Sequence, residues 1–96
     1  MAQIKRVRWT TLALIDLDQA HRYIEQERPS AAEAIIERVE RALDALLLFP
    51  HMGRDGRLAG TRELYLASTP FFLVYRIHKN ELEILTFMHT ARRWPE

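Results

Sequence analysis

Ser68-Thr69-Pro70-Phe71-Phe72-Leu73-Val74-Tyr75-Arg76-Ile77-His78-Lys79-Asn80-Glu81 reads as turn, strand, turn. The seven residues Phe71 to Ile77 are rich in aromatic and β-branched side chains and lie between two polar clusters, one containing a proline. They are apolar at both parities, so this strand is expected to be covered on both faces. On either side, Glu63 to Ala67 and Leu82 to Met88 show the same composition. Together they predict a three-stranded antiparallel meander, with Ile4 to Arg8 as a fourth, N-terminal strand.

Upstream of Pro50 the period changes to that of a helix. Ala13, Leu17, Ala20 and Ile24, with Leu14 beside them, recur at spacings of three and four from Thr11 to Glu27, which is one buried helical face. Thr10 or Thr11 can cap this helix, and Asp16 and Asp18 lie early, where the helix dipole favours acids. Pro29 ends it. Ser30-Ala31-Ala32-Glu33 has the form of a capping box and predicts a second helix over 31–49. Its stripe is Ala32, Ile35, Ile36, Val39, Ala42, Leu43, Leu46 and Leu47, and Phe49-Pro50 stops it. Two amphipathic helices joined at Arg28-Pro29 form a hairpin, so the class is α+β: N-terminal strand, helical hairpin, then three-stranded meander.

The chain has 96 residues, 48% of them hydrophobic, and no cysteine. That length suits one domain, residues 1–96, and leaves no room for a large cofactor cradle. The absence of cysteine removes disulfides, thiolate metal sites and thiol chemistry, and fits a reducing cytoplasm. The basic start carries no long apolar run, so neither a signal peptide nor a membrane anchor is expected. Net charge is only +1, but it is segregated: residues 1–8 carry +3, residues 9–49 set four arginines against eight acids, and residues 50–96 carry +2. A basic surface is expected where the two ends meet, suited to an anionic partner.

A hairpin of two helices covers one face of a sheet. The other face must either present Phe, Val or Tyr side chains to a partner, the reading preferred from sequence, or be closed by the chain itself. On or near the sheet fall Arg54, Arg57, Arg62, Arg76, His89, Arg92 and Arg93, with Glu63, Tyr65, Tyr75 and Trp94 interspersed. Arginine forks take phosphate oxygens and aromatic rings stack on bases, so these residue types suit nucleic acid. They also suffice for RNA cleavage, with His89 and Glu63 as acid and base and Arg62 and Arg92 as cations. Equally, a strand Arg-Glu pair makes an ordinary solvated face. Asp18, His21 and Glu25 share a helix face, but no second cluster supports them as metal ligands, so no metal and no cofactor is expected. Gly53, Gly56 and Gly60 precede no helix and read as turns, not a phosphate loop.

Laid in order, several segments resemble the RelE/ParE superfamily, the toxins of bacterial type II toxin–antitoxin modules. They are Trp9 with Ala13, Asp16-Leu17 and Tyr23-Ile24; Ala31-Ala32; Pro50 with Gly53-Arg54; Gly60-Thr61-Arg62-Glu63-Leu64; Thr69-Pro70-Phe71 with Leu73-Val74-Tyr75-Arg76; and His89-Thr90-Ala91-Arg92-Arg93-Trp94-Pro95. The resemblance spans nearly the whole chain. It is closer to ParE at residues 60–64 and 89–95. Phe72 stands where ribosome-dependent members tend to be basic, the terminal Tyr of many such members is missing, and Lys5 and Lys79 are the only lysines.

The resemblance implies a toxin of the plasmid-stabilisation type that arrests growth, is neutralised by a cognate antitoxin and forms a hetero-oligomer with it. Its ParE side implies DNA gyrase as the target and no enzymatic activity, with Arg92, Arg93 and Trp94 as target contacts. Arg57, Arg62, Phe72 and Arg76 are then expected to meet the antitoxin. The alternatives are a RelE-like ribosome-dependent mRNA endonuclease, with Arg62, His89 and Arg92 as candidate catalytic residues, and an inactive interaction module.

Overall fold

The structure is a computed structural model that describes residues 4–95. Its elements are β1 (Arg6–Trp9), α1 (Thr11–Glu27), α2 (Pro29–Leu48), β2 (Arg54–Asp55), β3 (Arg62–Tyr65), β4 (Phe71–His78) and β5 (Glu81–His89). They form one five-stranded sheet in the order β1-β5-β4-β3-β2. β3, β4 and β5 make the expected meander, joined to β2 by antiparallel pairing, while β1 runs parallel to β5. β2 is too short to carry a period of its own and was not read from the sequence.

The β4–β5 pair is the centre of the sheet, and Phe71 to Tyr75 are five consecutive buried residues. On one face Phe71, Leu73 and Tyr75 join Leu82, Ile84 and Phe87 under the helical hairpin, packing on Ala13, Ile35, Val39 and Leu46. The rings of Phe71 and Phe87 stack with centroids 4.9 Å apart. Leu17, Ala20 and Ile24 complete this layer as expected, but Leu14 is 52% exposed. Ala13, fully buried, is the residue turned to the sheet, and its neighbour Leu14 is carried about 100° round the helix into solvent.

Thr10 caps α1, its hydroxyl accepting from the Ala13 N–H. Asp16 does not act on the helix end. Its carboxylate accepts from the Thr86 hydroxyl and the Phe87 N–H, tying α1 to β5. The capping box does not form. α2 starts at Pro29, with Arg28 as N-cap and no side-chain capping bond. Proline already has the φ of a first helical turn, so α2 begins before Ser30 and leaves it inside the helix. Arg28 is thereby the one residue between the two helices.

The second face is closed by the chain itself, against the preferred expectation of an open apolar surface. Phe72, Val74 and Met88 are 1%, 0% and 5% exposed, packed with Leu85 and Trp94. A bulge at Val74/Tyr75 leaves Leu85 unpaired in the β4–β5 register. The C-terminal segment and long arginine stems supply cover that the sequence pattern did not reveal.

Tyr75 ties the turn at residues 50–53 to the core by two hydrogen bonds. The buried Tyr75 hydroxyl donates to the Pro50 carbonyl at 2.8 Å and accepts from the Gly53 N–H at 2.9 Å. Burial raises the Tyr75 pKa above its ordinary value, against the lowering effects of the Gly53 bond and the nearby Arg62. A Cβ at Gly53 would stand 2.6 Å from that hydroxyl, which is why glycine is needed there.

Candidate functional site

The sheet face turned away from the helices carries a row of opposite charges set by strand register. Arg6 faces Glu81 and Arg8 faces Glu83 across β1–β5; Glu83 also faces Arg76 across β5–β4; Arg54 faces Glu63 across β2–β3. Each facing pair is an ion pair. Cross-strand partners of opposite sign stabilise such a row. The carboxylates are the inner members: Glu63 is 1% exposed and Glu83 3%. The side chains of Arg8, Arg54, Arg57 and Arg76 are 42–60% exposed. With Arg6, five arginines flank three glutamates, so the face is basic, with the guanidinium planes already oriented.

Glu63 is the most connected of these acids. One oxygen accepts from Arg54 at 3.3 Å and the other from the Arg57 backbone N–H at 3.0 Å. The Arg57 Nε lies 3.6 Å from the same carboxylate. Both guanidinium groups also donate to the Tyr65 hydroxyl, at 2.7 and 3.0 Å. Tyr65 in turn stacks on Phe72, with centroids 4.8 Å apart.

The C-terminal segment lies over this cluster. Trp94 packs against Phe72, Val74 and Met88, and its carbonyl accepts from Arg57 Nη1 at 2.7 Å. Its indole N–H is buried without a hydrogen-bond partner among the described residues. Arg93 is exposed; Arg92 makes a turn bond from its N–H to the His89 carbonyl at 3.0 Å. Thus Arg57, Phe72 and Trp94 come together. Phe72 lies beneath Trp94 and Arg57, so a partner reaches it only by displacing them.

Arg62 and His89 lie elsewhere. Arg62 donates to the His51 and Gly53 carbonyls at 3.2 and 2.8 Å, which is a loop-bracing role. His89 pairs with Phe71 at the far end of β5, its ring edge against that phenyl, and Nδ1 accepts from the Ala91 N–H. Arg62 is opposite Tyr75, four residues along β4 from Phe71. With β3 and β5 on either side of β4, strand spacings place the Cα atoms of Arg62 and His89 roughly 16 Å apart. Concerted proton transfer and charge stabilisation at one phosphate need groups within about 3 Å of the reacting atoms, and these two do not converge. His89 instead borders a groove of about 430 Å³ with Tyr23, Ile24, Arg28, Arg38 and Phe71.

Among the described residues no acidic or histidine group forms a metal-binding cluster, and no helix is long and apolar enough to cross a membrane. The sequence reading missed Arg6, Arg8, Glu81 and Glu83 as members of the face. The signal was present: bases at 6 and 8 and acids at 81 and 83 both alternate with period two, but nothing local says that these two strands pair.

The profile of the ParE toxin of the type II toxin–antitoxin system parDE matches residues 7–94. Toxin Y4kP of Sinorhizobium fredii is 47% identical over 92 residues, covering 96% of this chain and 95% of that protein. Toxin RelE2 of Caulobacter vibrioides is 35% identical over 92 residues, covering 96% and 99%. Among solved structures, a chain of the chromosomal ParDE system of P. aeruginosa superposes with a TM-score of 0.80 at 23% identity, covering 91% of this chain and 97% of that one. A chain of the RelBE2 toxin–antitoxin complex of Mycobacterium tuberculosis gives 0.60 at 28% identity, covering 91% and 92%. With two helices on a five-stranded sheet and a profile match across nearly its whole length, this chain belongs to the ParE toxin family of type II toxin–antitoxin systems, within the RelE/ParE superfamily.

Proposed function

We propose that this toxin arrests growth by binding DNA gyrase in the cytoplasm through Arg92, Arg93 and Trp94, without chemistry of its own. The observation that carries this reading is the separation of Arg62 from His89 by the sheet register, which keeps Arg62 out of a site centred on His89. The cognate antitoxin neutralises it in a hetero-oligomer, setting acidic side chains against Arg57 and Arg76 on the basic face, with Arg62 at its loop end. Apolar anchors supply most of the affinity and the charge pairs orient the segment. A role in plasmid stabilisation follows if the pair is carried on a plasmid.

A second reading, ribosome-dependent mRNA cleavage, is favoured by one feature. His89 shares its groove with Arg28 and Arg38, a histidine and two cations in one concavity. A supercoiling assay run beside a translation-coupled mRNA cleavage assay separates the two. Folded His89→Ala retains gyrase inhibition on the first reading, while truncation after Ala91 abolishes it. Wild-type cleavage of ribosome-bound mRNA, with supercoiling untouched and cleavage lost in His89→Ala by about 10²- to 10⁴-fold, would install the nuclease instead.

A further inference from the structure

The C-terminal segment is the part of the chain assigned above to the target, and it rests on a sheet face that no helix covers. Its apolar seat is small: the cluster of Phe72, Val74 and Met88 receives one indole ring. That ring buries an N–H with no partner among the described residues, and an unsatisfied buried donor opposes docking. The seat is therefore weaker than its shape suggests, and a further contact decides how firmly the segment is held.

Arg57 makes that contact with its whole fork. Nη1 donates to the Trp94 carbonyl at 2.7 Å, Nη2 donates to the Tyr65 hydroxyl at 3.0 Å, and Nε faces Glu63 at 3.6 Å. The guanidinium carbon lies 5.5 Å from the Phe72 ring centroid. The backbone is fixed as well, since the Arg57 N–H donates to the same Glu63 oxygen at 3.0 Å. A planar fork engaged on three edges loses little freedom on adding the third bond. The buried Glu63 thus aims Arg57, and Arg57 holds the tail.

We propose that Arg57, oriented by Glu63, is a positioning residue that clamps the C-terminal target-recognition segment onto the sheet face away from the helices through the Trp94 carbonyl. Its functional half rests on the gyrase reading above; its structural half does not. Lysine cannot reproduce the clamp, because an ammonium lacks the fixed geometry that reaches Glu63, Tyr65 and Trp94 together.

The test uses full-length protein carrying Trp9→Phe, which leaves Trp94 as the one tryptophan of the chain. With Arg57 intact, Trp94 should emit to the blue and resist acrylamide quenching. Arg57→Gln should lower the docked-to-released ratio about tenfold, the value of one charge-assisted bond, read as a red shift and a several-fold rise in quenching with helical circular dichroism unchanged. Arg57→Lys should fall between the two, and it carries the test if the Gln variant does not fold. A folded variant whose Trp94 stays blue-shifted and shielded overturns the clamp. Supercoiling inhibition is measured on the same samples. Loss of inhibition in step with Trp94 release supports both halves, whereas release in a protein whose wild type never inhibits gyrase keeps the clamp and removes the gyrase reading.

Discussion

Tyr75→Phe removes one oxygen and no volume to speak of, so its cost isolates a single tie between the sheet and the 50–53 turn. The side chain is fully buried, and its hydroxyl serves two backbone groups, the Pro50 carbonyl at 2.8 Å and the Gly53 N–H at 2.9 Å. Pro50 is partly exposed, so water can replace its lost donor. Gly53 is buried, and its N–H is left without an acceptor, at a cost of about 1–3 kcal/mol. Arg62 still holds the Gly53 carbonyl, which keeps the turn in place and keeps the penalty from being relieved. The expected loss is about 2 kcal/mol, which for a domain of this size lowers Tm by roughly 8–16 °C.

Urea unfolding of the purified toxin measures this loss, and pH gives an independent check. Because the folded pKa of Tyr75 is raised, its protonated form is favoured in the native state. Below about pH 10 both states hold the proton and the contribution is constant; above it the unfolded chain ionises first, and stability falls as pH rises towards the folded pKa. The gap between wild type and Tyr75→Phe should therefore narrow above pH 10. A loss under about 0.5 kcal/mol, the range of an ordinary surface change, or a gap that stays constant to pH 11, would refute the argument.

Leu46→Ala should cost about 2–5 kcal/mol by leaving a cavity in the core, while Leu14→Ala should change stability by less than about 0.5 kcal/mol; the two residues are 0% and 52% exposed, and chemical denaturation compares them directly. Expression without antitoxin should stop bacterial growth, and normal growth at confirmed soluble expression would count against an active toxin. In a structure of the toxin–antitoxin complex, carboxylates of the antitoxin should pair with at least one of Arg57, Arg62 and Arg76; an interface that leaves all three uncontacted removes the electrostatic part of the proposal.

The order of elements and the burial of one helix face were legible because they depend on local periodicity. Ala13, Leu17, Ala20 and Ile24 face the sheet as their spacing requires, and Phe71 to Tyr75 are covered on both faces as their composition demands. The Ser30-Ala31-Ala32-Glu33 pattern misled because a proline one residue earlier is itself a good helix start. Asp16 misled because a helix-end acid and a tertiary hydrogen-bond acceptor look alike in sequence.

Nothing local could tell that residues 6–9 lie beside residues 81–84, or that Trp94 returns to cover Phe72 and Val74. Those contacts join positions far apart in the chain, and strand pairing places side chains by register, where a shift of one residue reverses every face. By itself the sequence determined the two helices, the four longer strands and the apolar faces they bury. Only the tertiary structure decided that Glu63 and Glu83 would sit beneath a row of arginines, and that Arg62 and His89 would stand apart.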